Sequence, residues 1–133
     1  MGIPRYMNNA FAELKKAREH AEKAARRATD FCQNVPHSDV TAESREKAGS
    51  LCMKAEYAIS HYRSAVMAIN AASEYYDQHD FVLARRCANA ATTAAKESQA
   101  DDAAAIFSRS GSIPARSQLI WRYQDGMPSL YDF

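Results

Sequence analysis

The residues that decide the fold are Thr41–Asp77, TAESREKAGSLCMKAEYAISHYRSAVMAINAASEYYD. Within them Ala48, Leu51, Ala55, Ala58, Tyr62, Ala65, Ile69, Ala72 and Tyr76 follow one another at steps of three and four, which places them all on one side of an α-helix. Cys52, Ile59 and Val66 repeat every seven residues beside that line and widen it into a stripe of the kind a globular bundle buries. At the helical rise the stretch makes a rod of roughly 55 Å. An isolated helix of this composition does not hold such a length in water. The spacing therefore predicts a central helix clasped by two others, with Gly49 marking a close crossing rather than a break.

Upstream, Phe11, Leu14, Ala17, Ala21, Ala24, Ala28, Phe31 and Val35 recur at helical spacing and predict a first helix over about residues 9–34. Pro4 marks Met1–Met7 as a short extended arm, Tyr6 is available to pack on a neighbour, and Asn8 or Asn9 is the expected cap. Pro36 closes the helix, and Ser38, Asp39 and Thr41 are candidate caps for the second. Downstream, Asp80 is placed to cap a third helix carrying Ala84, Ala88, Ala91 and Ala95. This helix either runs over residues 80–109 or divides into two pieces near Ala100, where Asp101 and Asp102 follow. Gly111 and Pro114, in a Ser-rich run, stop it. The fold class is all-α: an alanine-rich, antiparallel three-helix bundle over residues 1–110. Residues 111–133 are then an aromatic tail, with a short helix over Ala115–Gln124 and a turn at Asp125–Pro128.

The chain has the length of one domain, 133 residues, and a net charge of +1, which announces neither nucleic acid nor membrane. Its signs are unevenly spread. Residues 1–35 carry seven basic and four acidic side chains, residues 36–80 four and seven, so the first two helices are complementary. Alanine supplies 26 residues, and small facing side chains let helices approach at the close end of the usual range. Cys32, Cys52 and Cys87 form no C-x-x-C pair and read as reduced thiols packed as small hydrophobes. With no leader-like segment, no long apolar run and no N-x-S/T sequon, the expected place is the cytoplasm, away from membranes.

The run Tyr75, Tyr76, Asp77, Gln78, His79, Asp80, Phe81, Val82, Leu83, Ala84, with Ala72 before it and Ala91 after it, resembles the helix-turn-helix of a tetratricopeptide repeat. The likeness spans residues 67–100. His79 stands where the family has its turn glycine, Lys96 where it has its closing proline, and no second copy follows at that period. A single unit implies an αα-hairpin, and the family's behaviour implies a groove for a partner peptide.

Metal, nucleotide and hydrolase chemistries have no motif here. The residues three before His20, His61 and His79 are Ala17, Ala58 and Tyr76, so no Glu-x-x-His pair exists. The thiols and imidazoles lack zinc spacing, and no G-x-S-x-G or P-loop occurs among four glycines. The expectation is a non-enzymatic protein without cofactor.

Two surfaces remain. The first helix carries Lys15, Lys16, Lys23, Arg26 and Arg27, which fit an acidic protein or a phosphate backbone, or form a solvated face neutralised by the pairs Glu19–Lys23 and Glu22–Arg26. The tail holds Leu119, Ile120, Trp121, Arg122, Tyr123, Leu130, Tyr131 and Phe133. It either folds back over one end of the bundle or enters a groove on a partner or a second copy of the chain. The function expected is protein–protein interaction, as an adaptor, chaperone or inhibitor. The alternative is association with nucleic acid through the basic face.

Overall fold

The computed structural model describes residues 2–34, 41–100 and 116–131. Most of these lie in four helices, with no strand among them: α1 Arg5–Asn34, α2 Ala42–Asp77, α3 Phe81–Ser98 and α4 Arg116–Asp125. The expected central helix is continuous through Gly49, which is buried.

The N-terminal arm is shorter than expected, only residues 2–4 of the described chain preceding the helix. The carbonyl of Pro4 accepts from the amides of Met7 and Asn8 at 3.0 and 3.1 Å, so α1 starts directly after the proline. Proline is compatible with a helix start because the first-turn amides have no intrahelical partner to lose. Burial of Met7 holds this extra turn in place. Asn8 and Asn9 consequently lie inside the helix and do not cap it; the Asn8 amide instead reaches back to the Ile3 carbonyl at 3.4 Å.

At the start of α2, Thr41 is the cap. Its hydroxyl accepts from the Ser44 amide and the Ser44 hydroxyl accepts from the Thr41 amide, both at 3.1 Å, a reciprocal capping box. Ser38 and Asp39, the other expected caps, lie outside the described residues. The far end of α2 is closed by backbone alone. Asp80 N–H donates to the Tyr75 carbonyl at 2.9 Å and His79 N–H to the Tyr76 carbonyl at 3.0 Å, a Schellman closure with His79 at φ 61°. Asp80 then caps α3, its carboxylate accepting from the Leu83 amide at 3.2 Å. Gln99 closes α3, so the described helix stops well short of residue 109. Residues 101–115, including the Asp101–Asp102 pair and the Ser-rich stop, lie outside the described residues.

Packing follows the methyl groups more closely than the sequence pattern implied. Ala17, Ala21, Ala25 and Ala28 of α1, Ala48, Ala55, Ala58 and Ala65 of α2, and Ala84, Ala88, Ala91 and Ala95 of α3 are all buried. Phe11, expected on the inner face of α1, is 43% exposed, and Ala25 replaces Ala24 as the fully buried residue. A seam in which backbones approach closely has no room for a phenyl ring, so α1 turns its small residues inward. Ser98 completes the seam, donating its buried hydroxyl to the Ala58 carbonyl at 2.7 Å. The start of α1 meets the end of α2 and the middle of α3 in a second cluster made by Met7, Ala10, Ile69, Ala72, Ala88 and Ala91. Late in α1, Cys32 touches Cys52, which lies early in α2.

His79 is exposed in a left-handed conformation that costs a Cβ-bearing residue about 1–2 kcal/mol. His79→Gly is expected to raise unfolding stability by about 0.5–1 kcal/mol, the relief being partly offset by glycine's greater freedom when unfolded. His79→Val is expected to lower it by about 1 kcal/mol or more, since β-branching is poorly tolerated there. Urea midpoints of the two variants, moving in opposite directions, check this.

Candidate interaction surface on the C-terminal helix

The spacing of Leu119 and Tyr123, four residues apart, puts both on one side of α4, and both are completely buried. With Leu130 they join the main core, where they lie in one cluster with Ala28, Cys32, Cys52 and Ala55. The Tyr123 hydroxyl donates to Glu56 Oε1 at 3.4 Å. Burial, reinforced by the negative charge of Glu56, pushes this phenol well above its ordinary range.

Two further bonds hold the segment by its backbone. Gln33 Nε2 donates to the Gln124 carbonyl at 3.5 Å, from α1, and Arg63 Nη2 donates to the Ser129 carbonyl at 2.9 Å, from α2. Between these carbonyls the chain turns at Gly126, whose φ of +147° is open to glycine and strained for other residues.

The opposite side of α4 faces solvent. Trp121 is 71% exposed, Arg122 is exposed beside it, and past the turn Tyr131 is 61% exposed. The tail thus divides. Leu119, Tyr123 and Leu130 are buried within the chain's own core. Ile120 is half-buried against the same core. Phe133 lies outside the described residues.

On α1 the five basic residues Lys15, Lys16, Lys23, Arg26 and Arg27 are all exposed. Lys16 pairs with Glu13 at 3.4 Å. The expected pairs Glu19–Lys23 and Glu22–Arg26 are not among the ion pairs of the described residues. Such pairs are worth little in solvent, so helical spacing alone does not hold them closed. Arg27 also borders a small cavity of about 90 Å³ together with His20, Lys54 and Tyr57.

Two features escaped the sequence reading. Tyr6, Phe81, Val82, Arg85, Arg86 and Asn89 line an open groove where the first turns of α1 and α3 meet; the apolar-then-basic order of Phe81, Val82, Arg85 and Arg86 was its signal. Cys32 and Cys52 lie with their sulfurs 3.5 Å apart, both fully buried. Their positions on either side of the connection between α1 and α2 were the readable sign.

No helix among the described residues is long and apolar enough to cross a membrane. Comparison with protein-family models, with curated proteins and with solved structures finds no match for this chain.

The division of the tail has a direct test in thermodynamic stability. Leu119→Ala is expected to cost about 2–5 kcal/mol through the cavity it opens, whereas Trp121→Ala is expected to stay within about 0.5 kcal/mol of the parent in the same denaturant titration. A pH prediction follows from the buried acids. Cys32, Cys52 and Tyr123 all hold their protons more tightly when folded than their ordinary values of 9.0 and 10.0 allow. The unfolded chain therefore ionises first as pH rises. Stability from these groups is full below about pH 9 and then falls, by up to about 1.4 kcal/mol per pH unit for each group. Urea unfolding at stepped alkaline pH measures the slope, and Cys52→Ala is expected to make it shallower.

Proposed function

We propose that this chain is a small, non-enzymatic protein–protein interaction module of the adaptor, chaperone or inhibitor type, working by occupying a surface on another protein or on a second copy of itself. In this reading α1, α2 and α3 form an antiparallel three-helix bundle that serves as a rigid platform, and α4 lies across it. The observation that carries it is the 71% exposure of Trp121 on a helix that buries Leu119 and Tyr123 completely. Tryptophan, tyrosine and arginine are the preferred anchors of protein interfaces, and Trp121, Arg122 and Tyr131 offer one of each. Because Leu119, Tyr123 and Leu130 already fix the segment, little ordering entropy remains to oppose binding.

A second reading, association with nucleic acid, draws on the exposure of Lys15, Lys16, Lys23, Arg26 and Arg27 along α1, of which only Lys16 has an ion pair among the described residues. The cytoplasm is the compartment proposed for either role.

The double variant Trp121→Ala, Tyr131→Ala separates the two. It is expected to keep the helical circular dichroism of the parent while weakening self-association in sedimentation equilibrium, or binding to a purified partner, by at least about tenfold. Unchanged association would overturn the leading reading. Affinity for a DNA or RNA duplex that falls steeply between low and moderate salt, and that Arg26→Glu with Arg27→Glu abolishes, would favour the second.

A further inference from the structure

We propose that Cys32 and Cys52 are a modification site at which a hydroperoxide of the hydrogen peroxide class drives formation of an intramolecular disulfide stapling α1 to α2. The inference is independent of what α4 binds. Its ground is geometry: the sulfurs are already in contact at 3.5 Å, and both side chains are completely enclosed. Closing to the bond length of about 2.05 Å needs an approach of roughly 1.5 Å. Two small apolar side chains meeting by chance in an alanine seam would not need to be sulfur to sulfur. Cys87, on α3, is half-buried and stands outside this pair, so the chain carries its own internal reference thiol.

The chemistry balances with the peroxide as oxidant. One thiolate attacks the O–O bond, taking one oxygen as a sulfenic acid and releasing the other as water after protonation. The second thiolate attacks that sulfur, the S–S bond forms, and hydroxide leaves to become the second water. The two thiols lose two protons and two electrons, and the electrons reduce the peroxide. Either sulfur can act first: the contact at 3.5 Å leaves either thiol as the donor, and burial raises both.

Leu119 and Tyr123 of α4 are buried in the same cluster as both thiols, so α4 is part of what encloses the pair. An oxidant reaches the pair when α4 lifts, so reaction is slow with the segment seated and fast when it is loosened.

The test is peroxide treatment of the folded full chain, followed by denaturation, alkylation of remaining thiols and peptide mass mapping. The expected product is lighter by two hydrogens, with Cys32 linked to Cys52, Cys87 alkylated, and the link reversed by dithiothreitol. Leu119→Ala, which loosens α4, is expected to accelerate the reaction at least tenfold while leaving the linkage the same. Cys32→Ala and Cys52→Ala are each expected to abolish the two-hydrogen loss. Should either variant fail to fold, the mapping of the parent chain decides alone. The proposal is overturned if Cys32 and Cys52 both remain alkylatable when Cys87 is already oxidised, or if links through Cys87 predominate. An unaccelerated Leu119→Ala overturns the gating by α4.

Discussion

The constraint on which everything else depends is the close approach of helices along methyl-lined seams. Alanine at the contacting positions of α1, α2 and α3 gives little apolar area per residue, and what it offers instead is proximity of backbones and a dense set of weak dispersion contacts. Larger groups divide: Phe11 is turned outward and Phe31 lies partly covered with the Lys47 ammonium 5.1 Å from its ring, while Ile59, Tyr62 and Ile69 are buried among the alanines. The bulky hydrophobic mass that the seams cannot hold is brought in from the tail as Leu119, Tyr123 and Leu130.

The helices were legible because their signals are local and periodic. Of the residues stepping by three and four through Ala48–Tyr76, all but the half-buried Leu51 and Tyr76 belong to the buried set of α2, and Thr41 and Asp80 cap as their hydroxyl and carboxylate chemistry demands. The N-terminal boundary of α1 was misplaced because proline is read most readily as a breaker, while Pro4 sits where its missing donor costs nothing. The inner face of α1 was misjudged for a different reason. Hydrophobicity favours Phe11 and Ala24, but steric fit between approaching backbones decides for Ala10 and Ala25, and that fit belongs to the neighbour's surface rather than to the helix itself.

The candidate site was legible only as a composition. An aromatic, apolar tail says that something will be buried, without saying whether by the chain or by a partner. The answer divides by helical phase: positions four apart in α4 go inward, while Trp121 and Arg122 between them go outward. The thiol pair was less visible still, because contact between residues twenty positions apart depends on how two helices are set against each other. The closure at His79 needs a left-handed residue of the kind glycine supplies most cheaply, and the histidine there carries the steric cost.

The two polar attachments of the C-terminal segment share a property that side-chain packing lacks. Gln33 and Arg63 both grip main-chain carbonyls, those of Gln124 and Ser129, and every amino acid presents a carbonyl. The residues at positions 124 and 129 can therefore be exchanged without giving up either attachment. Trp121 and Arg122, on the outward side of α4, take no part in these two attachments. Mutation can revise what this segment displays while the manner of its fastening persists.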